Sequence, residues 1–208
     1  GKSTVTQLLG EMALASSLKA YICGNIGNPV MECISDDAEL YIVELSSYQL
    51  DYTNKLDLFA GVITNISPDH LDRYSSYSNY ISSKLSIYDY SMFNIINLNE
   101  PEVNGISGDN FFSIEKNESK CDFFASKKDN LYEVFHQGKV LMTSDDLLVV
   151  GKHNIENMLA SLTLGYRFGL SVNTMKEAAI EFKGLVHRLE FVSTMNQVDF
   201  YNDSKSTN

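Results

Sequence analysis

The first four residues, Gly1-Lys2-Ser3-Thr4, have the types and order of the second half of a phosphate-binding loop, G-x-x-x-x-G-K-[ST]. In such a loop, backbone N–H groups at a helix N-terminus face the phosphates. The lysine neutralises the β/γ oxygens and the hydroxyl binds Mg²⁺. An apolar helical pattern containing Leu8, Leu9 and Met12 follows directly. The tetrapeptide also occurs by chance at helix starts, so it indicates a nucleotide site only together with other motifs.

A carboxylate interrupts the apolar run Tyr41–Leu45 near its carboxyl end, at Glu44. A buried carboxylate is costly unless it is paired or bound to a metal. Ligands of open α/β sheets bind at the carboxyl ends of the strands. Glu44 is therefore a candidate Mg²⁺ ligand, and a salt-bridged structural glutamate is the alternative.

A histidine, His70, follows the next apolar run, Val62–Ile66, through Ser67-Pro68-Asp69. This order places it on the same edge of the predicted sheet as Glu44. Imidazole and carboxylate together suit a metal or substrate site. The alternative is a surface histidine after a turn.

A lysine, Lys84, lies within the apolar stripe of a predicted helix that contains Tyr80, Ile81, Leu85 and Tyr88. It either covers apolar surface with its aliphatic chain or is a partly buried amine that can lose its proton.

Polar residues near the end of the chain are further candidates. Asn154 suits a helix N-cap, with Asn157 one turn later. Arg188 could bind a γ-phosphate, and an aspartate such as Asp203, near Lys205, suits ribose hydroxyls. The alternative for Asn154 is a purely structural role, and each of the others, taken alone, would be interpreted as solvated surface.

Short β-branched runs alternate with helical patterns, which predicts a parallel sheet covered by helices. Thr174 and Glu177 fit a capping box, and Gln137-Gly138 fits a hairpin turn. We predict strands at 20–23, 40–45, 60–66 and 93–98, helices at 3–18, 78–90, 154–168 and 174–182, and hairpins of 131–136 with 139–143 and of 189–194 with 198–201.

Composition narrows the functional classes. The 208 residues include 16 basic and 27 acidic ones, which argues against nucleic-acid binding. The three cysteines show no C-x-x-C pairing and are expected to be reduced thiols of a cytoplasmic protein. No stretch reaches the ~18 consecutive apolar residues of a membrane span.

Taken together, these motifs resemble the Mur ligases, ATP-dependent amide-bond-forming enzymes of peptidoglycan precursor synthesis. The resemblance spans the whole chain, and two of its strings, E-L-S-S-Y-Q-L and D-S-K-S-T-N, resemble the branch that adds D-glutamate to UDP-N-acetylmuramoyl-L-alanine. The strings are G-K-S-T at 1–4, G-N-I-G at 24–27, E-L-S-S-Y-Q-L at 44–50, D-H-L-D-R-Y at 69–74, K-L-S-I-Y at 84–88, G-K-H-N at 151–154, H-R-L-E at 187–190 and D-S-K-S-T-N at 203–208.

The resemblance implies a role for each matching position. Lys2, Lys84, His70 and Arg188 correspond to residues at the reacting groups, and Lys84 to a lysine that is carbamylated in the family. Nucleotide contacts are implied for Gly1, Lys2, Ser3, Thr4, Asn154, Asn157, Arg188, Asp203 and Lys205; metal ligands for Ser3, Glu44, His70 and Lys84; and substrate contacts for Asn25, Ser46, Gln49, His70 and Thr207.

The family also implies an architecture and a set of ligands. The expected fold is α/β, a P-loop NTPase-like, mostly parallel sheet with an antiparallel part. Residues 1–184 would form the central ATP-binding domain, and 185–208 the first hairpin of a Rossmann-like C-terminal domain. The expected ligands are ATP and Mg²⁺ at two sites, the second through carbamylated Lys84. A monomer is expected, and a chain of this extent is expected to be inactive by itself. Another ligase of the superfamily and a non-catalytic nucleotide-binding module remain as alternatives.

Overall fold

The computed structural model describes residues 1–69, 72–115 and 118–205, and within them it contains ten strands and five α-helices. The strands are β1 Ala20–Gly24, β2 Leu40–Glu44, β3 Leu58–Val62, β4 Ser91–Asn97, β5 Asn110–Ile114, β6 Phe123–Lys128, β7 Leu131–His136, β8 Lys139–Thr143, β9 Glu190–Met195 and β10 Val198–Asn202. The helices are α1 Lys2–Ala15, α2 Ser47–Asp51, α3 Tyr77–Leu85, α4 Lys152–Phe168 and α5 Val172–Glu181.

The strands of the described residues form three sheets. β1 and β2 pair in parallel, and a larger sheet has the order β3-β4-β5-β6-β7-β8. Its strands are parallel from β3 to β6 and antiparallel from β6 to β8. β9 and β10 form a separate antiparallel hairpin. The predicted α/β class, mostly parallel with an antiparallel part, is confirmed.

The main core lies between the sheets and the helices α1, α4 and α5. Met12, Phe112, Leu159, Met175 and Phe182 are almost fully buried there. Burying each such side chain contributes about 1.5–3 kcal/mol, so this core fixes the helices on the sheet. The helix α1 approaches β1 closely, because a Cβ on Gly10 would lie 2.1 Å from Cδ1 of Ile22.

Two predictions of local helix structure are wrong. The last helix begins at Val172 after Ser171, so Thr174 lies inside it and forms no capping box. The reason is that Gly169, with φ of 97°, ends α4 only two residues earlier. The helix predicted over 78–90 is divided: α3 ends at Leu85, and a 3₁₀ helix, Ser86–Tyr90, continues from it. This 3₁₀ helix presents the hydroxyl of Tyr88 to the carbonyl of Ile95 in β4, at 3.1 Å.

The last hairpin forms as predicted, with Asn196 and Gln197 at positive φ in its turn. Its apolar residues Phe191, Val192 and Val198 are exposed.

The proposed domain boundary at residue 184 stays a prediction. None of the three cysteines forms a disulfide. No helix of the described ranges has the length and hydropathy to cross a bilayer.

Candidate active site

The N-terminus of α1 lies at the carboxyl end of β3. A Cβ at Gly1 would lie 3.0 Å from the Thr64 hydroxyl and 3.1 Å from Oδ1 of Asn65, so a larger residue would be crowded there. The first turn of α1 contains Lys2 and Ser3 and no acidic residue. Unpaired N–H groups at a helix start attract anions, so this turn is suited to a phosphate group.

A cavity of ≈ 780 Å³ opens at this helix start. Its size is within the range of small-molecule sites, about 300–1,000 Å³. Eight of the residues that the sequence predicts for the site line it together: Gly1, Lys2, Ser3, Asn25, Glu44, Lys84, Arg188 and Lys205.

Glu44 is the last residue of β2, and its carboxylate is buried with only one of its two oxygens hydrogen-bonded. The residue is 4% exposed, and its Oε1 accepts a hydrogen bond from Asn25 Nδ2 at 2.9 Å. Its Oε2 is buried and has no hydrogen-bond partner in the described part of the chain. A buried, unpaired carboxylate oxygen is costly, and a cation would remove that cost. The donor set of Glu44 and the Ser3 hydroxyl, both hard oxygen ligands, fits Mg²⁺.

No group of three or more His, Cys, Asp or Glu side chains converges on a metal position within 1–69, 72–115 and 118–205. His70 lies outside these ranges, so the predicted pairing of His70 with Glu44 stays a prediction.

Lys84, on α3, reaches the same cavity, half-buried, with its Nζ 4.8 Å from the centroid of the Tyr80 ring. Burial, and then the nearby charge of Lys2, lower the pKa of Lys84 to about 8. Asp69 and Glu100 act in the opposite direction. This environment is compatible with the partly buried amine, and the choice between the two alternatives for Lys84 stays a prediction.

The segments that flank the hairpin β9–β10 bring two more cations to the cavity, Arg188 and Lys205. Asp203 accepts a hydrogen bond from the Leu189 N–H at 3.1 Å, and the Lys205 N–H donates to the His187 carbonyl at 3.1 Å. These bonds join the two ends of the hairpin. In a chain with net charge −11, four basic side chains, Lys2, Lys84, Arg188 and Lys205, thus meet in one cavity.

Asn154 and Thr4 line a neighbouring cavity of ≈ 370 Å³, which Arg188 also lines. Asn154 is not an N-cap, because α4 already begins at Lys152 after Gly151, whose φ is 96°. Its side chain donates to the Val150 carbonyl at 2.8 Å instead. Asn157 donates to Oδ1 of Asn154 at 3.4 Å, and its own Oδ1 lies near Gly1.

Ser46 and Gln49 form a capping box at the start of α2. The Gln49 N–H donates to the Ser46 hydroxyl at 3.2 Å, and the Ser46 N–H donates to Oε1 of Gln49 at 2.8 Å. Neither residue lines the cavity of Lys2 and Glu44. Their predicted substrate contact stays a prediction, as does that of Thr207, which lies outside the described residues.

A family profile described as "Mur ligase middle domain" matches residues 1–165. The chain belongs to the Mur ligase family.

Curated relatives point to one branch of the Mur ligases. A protein of Marinobacter nauticus named "UDP-N-acetylmuramoylalanine--D-glutamate ligase" is 38% identical over 211 residues, and one of Pseudomonas syringae pv. tomato with the same name is 39% identical over 210. Both matches cover 100% of this Mur ligase chain and 47% of the relative. The chain thus spans about half the length of the curated relatives it matches.

Solved Mur ligases share the fold. A structure of MurF from Acinetobacter baumannii gives a TM-score of 0.77 at 19% identity, covering 98% of this chain and 48% of that one. A structure of UDP-N-acetylmuramoyl-L-alanyl-D-glutamate--2,6-diaminopimelate ligase gives 0.74 at 17% identity, covering 93% and 47%.

Sequence reasoning missed several residues that line the cavity of this Mur ligase chain. The strand predicted over 60–66 ends at Val62 in the structure. The residues that follow are therefore a loop at the carboxyl end of β3, where site residues are expected. A strand predicted to end at Val62 would have placed some of the missed residues in this loop. The residues missed are Ile26, Gly27, Asn65, Ser67, Asp69, Tyr80, Leu185 and Val186.

Proposed function

We propose that this chain forms the nucleotide-binding and magnesium-binding part of an ATP-dependent ligase that joins D-glutamate to UDP-N-acetylmuramoyl-L-alanine in peptidoglycan precursor synthesis. The convergence of Lys2, Glu44 and Lys84 on one cavity at the start of α1 carries the proposal of ATP-dependent chemistry. The choice of D-glutamate rests on the names of relatives that are 38% and 39% identical along the whole chain.

The reaction has two steps. The terminal carboxylate of the UDP-sugar substrate attacks the γ-phosphorus of ATP, which gives an acyl-phosphate and releases ADP. The amine of D-glutamate then attacks the acyl carbon, and the tetrahedral intermediate loses inorganic phosphate and a proton to leave the amide. The site must therefore hold a carboxylate against a triphosphate, two anions that repel strongly at low dielectric.

This chain's own residues would reduce that repulsion. Lys2 lies in the first turn of α1 and lines the cavity, so the N–H groups of this turn and the Lys2 ammonium would face the β/γ-phosphates. Arg188, just before the hairpin, lines the same cavity, and a planar guanidinium can bind two phosphoryl oxygens at once. In this arrangement the charges are already in place when the phosphoryl group transfers, as electrostatic preorganisation requires.

Magnesium, when bound, would neutralise charge on the transferring phosphoryl group. Glu44 Oε2 and the Ser3 hydroxyl would hold the first ion, together with the predicted ligand His70. Asn25 orients Glu44 through its hydrogen bond to Oε1, and partners of this kind usually affect metal affinity.

Lys84 would serve the second ion as a carbamate. In that modification the neutral Nζ attacks the carbon of CO₂, a C–N bond forms, one C–O π bond becomes the carboxylate, and a proton is released. Half-burial of Lys84 and its pKa of about 8 support an amine that is available for this step. Equilibration of the protein with ¹³C-bicarbonate should give a carbamate carbon signal that the Lys84→Ala variant lacks. An identical signal in both proteins would exclude Lys84.

The nucleotide would extend from the main cavity towards the cavity of Thr4 and Asn154. We propose that the nucleotide contacts Asn157, Asp203 and Lys205. The substrate or D-glutamate would lie near Ser46, Gln49 and Thr207.

We propose 1–184 as the ATP-binding domain and 185–208 as the start of the next domain. The chain alone should be inactive, and phosphate release from it that depends on D-glutamate would contradict this.

The test uses a full-length protein that contains this chain. Phosphate release is measured with ATP, Mg²⁺ and UDP-N-acetylmuramoyl-L-alanine, to which D-glutamate, L-glutamate, L-lysine or meso-diaminopimelate is added in turn. Release with D-glutamate alone supports the proposal. Release with another amino acid assigns the protein to a sister ligase, and no release with any of them favours a non-catalytic nucleotide-binding module.

A further inference from the structure

The loop that follows β3, residues 63–69, contributes polar side chains to the main cavity. The parallel pairing of β3 with β4 ends at Val62, so strand pairing does not hold this loop in place. We call residues 63–69 the site loop. Three of its side chains line the same cavity as Lys2: those of Asn65, Ser67 and Asp69.

The site loop lies close to the start of α1. Oδ1 of Asn65 is 3.1 Å from the position of a Cβ on Gly1, where the first helical turn offers its N–H groups to a phosphate. Asn65 also joins its neighbours, because its Oδ1 accepts the Thr64 hydroxyl at 3.2 Å and its Nδ2 donates to the Ser67 hydroxyl at 3.2 Å. A shift of the site loop would therefore move polar groups at the proposed phosphate position.

Buried side chains of β4 and of the turn after it hold the site loop by its backbone. Nδ2 of Asn97 donates to the Thr64 carbonyl at 2.8 Å. Oε2 of Glu100 accepts the Ile66 N–H at 2.8 Å. Asn97 and Glu100 are 3% and 7% exposed, and neither lines the cavity. Both residues therefore act on the loop and not on a ligand.

Glu100 uses both oxygens of a buried carboxylate to accept backbone N–H groups. Its Oε1 accepts the Glu102 N–H at 3.2 Å, so the carboxylate connects the site loop to the 3₁₀ turn Pro101–Val103. No salt bridge reaches Glu100 within the ranges that the structure describes. A buried charge without an ion pair is costly. An amide would offer only one acceptor oxygen, so the carboxylate is what satisfies both N–H groups.

We propose that Glu100 is a positioning residue for the ligase reaction: it ties the Ile66 N–H to the turn after β4 and so fixes the polar side chains of the site loop beside the start of α1. This inference rests on the function proposed above. A displacement of about 1 Å at the reacting groups can cost about 100-fold in rate. The loss of the Glu100 bond should therefore lower kcat more than it changes KM.

The experiment uses a full-length protein that contains this chain and compares Glu100→Gln with Glu102→Gln. The first variant keeps the size of the side chain and leaves one acceptor oxygen for two N–H groups. The second removes the same charge from the same turn and is the matched control, because Glu102 takes part in these bonds only through its backbone N–H. The measurements are kcat, the KM values for ATP and the UDP-sugar, and deuterium exchange in peptides covering 63–69 and 91–97.

We expect Glu100→Gln to lower kcat by about tenfold or more with both KM values within about threefold, and to speed exchange in 63–69 by about tenfold. Exchange in 91–97 should stay unchanged, which reports that the variant is folded. Glu102→Gln should match the unsubstituted protein in every quantity. If Glu100→Gln does not fold, Glu100→Asp, which keeps both oxygens on a side chain one methylene shorter, should show the same changes to a smaller extent.

Other results overturn the proposal. Faster exchange in 63–69 with kcat within about twofold would leave Glu100 a purely structural role. Unchanged exchange in 63–69 would mean that the bond to Ile66 does not hold the loop. Equal losses in the two variants would assign the effect to charge, and a rise in KM alone would assign it to ligand binding.

A failure of the proposed reaction gives a different result, since the unsubstituted protein would then release no phosphate. The role of Glu100 is in that case decided by exchange in the presence of a non-hydrolysable ATP analogue and Mg²⁺. These ligands should slow exchange in 63–69 of the unsubstituted protein and not of Glu100→Gln. An equal response of the two proteins would overturn the positioning role.

Discussion

Asn25 donates a hydrogen bond to only one of the two oxygens of Glu44, Oε1, and leaves Oε2 buried without a partner in the part of the chain that the structure describes. The pairing of β1 with β2 produces this arrangement, because it sets Gly24 opposite Glu44, and the Asn25 N–H bonds the Glu44 carbonyl at 2.8 Å. The backbone therefore fixes both partners, and Glu44 lines a cavity that Lys2 and Ser3 also line.

The first prediction concerns that oxygen. Glu44→Gln keeps the size of the side chain and removes the charge that magnesium would bind. We expect the Mg²⁺-dependent tightening of ATP binding to fall by about tenfold or more, while the free energy of unfolding in the presence of chelator stays unchanged or rises, since a buried charge is removed. Calorimetric titration with and without Mg²⁺ measures the first quantity and urea unfolding the second. The exposed Glu32→Gln is the matched control, and an equal effect of the two variants on Mg²⁺ dependence would refute the role of Glu44.

The second prediction concerns Lys84 and pH. Its pKa is lowered from 10.5 to about 8, so the folded state bears the full cost of the buried charge below pH 8 and loses that cost between pH 8 and 10.5. Lys84→Met should therefore stabilise the chain at pH 7 by about 1–2 kcal/mol after solvent screening is allowed for, and the gain should vanish towards pH 10.5.

Urea unfolding of both proteins across this pH range, in CO₂-free buffer with chelator, measures the difference. Lys55→Met, at an exposed lysine, is the control and should show no such dependence. A gain for Lys84→Met that is constant with pH would mean that the amine is not perturbed by burial.

The third prediction separates structural and substrate roles at α2. Ser46→Ala removes the acceptor of the Gln49 N–H and should cost about 1 kcal/mol of stability. Gln49→Glu keeps an acceptor for the Ser46 N–H, and it should retain stability within about 0.5 kcal/mol. If Gln49 also contacts substrate, Gln49→Glu in the full-length protein should raise the KM for the UDP-sugar. A stable variant with unchanged KM would leave the capping box as its whole role.

The fourth prediction tests the proposed contact between Arg188 and the γ-phosphate. Arg188→Ala should weaken binding of a non-hydrolysable ATP analogue by about tenfold and leave ADP within about twofold, because ADP lacks the group that the guanidinium binds. Competition against a fluorescent nucleotide measures both affinities. Equal losses for the two nucleotides would place Arg188 at another part of the ligand.

The sequence predicted which charged residues share the cavity better than it predicted the local geometry. Glu44 and Lys84 were identified because a charge inside an apolar pattern is costly and demands a reason, and the structure brings both to the cavity of Lys2. The capping roles of Thr174 and Asn154 were predicted wrongly. Each depends on where the preceding segment ends, at Gly169 and Gly151, and a positive φ at those glycines cannot be read from the side-chain pattern.

The loop after β3 escaped prediction for a similar reason. Ile63 and Ile66 continue the apolar run, so the pattern extends the strand to 66, although they pack into a second core with Tyr80 and Tyr88. Because the strand ends at Val62, Asn65, Ser67 and Asp69 reach the cavity. Tertiary packing, rather than local propensity, decides where such a strand ends.

The most direct test of the proposed reaction is an isotope transfer. UDP-N-acetylmuramoyl-L-alanine labelled with ¹⁸O in its terminal carboxylate is incubated with ATP, Mg²⁺, D-glutamate and a full-length protein that contains this chain, and the phosphate released is analysed by mass spectrometry. Attack of the carboxylate on the γ-phosphorus predicts one ¹⁸O atom in each phosphate and one in each amide product. Phosphate without ¹⁸O would show that water, rather than the substrate carboxylate, receives the phosphoryl group, and it would contradict the account.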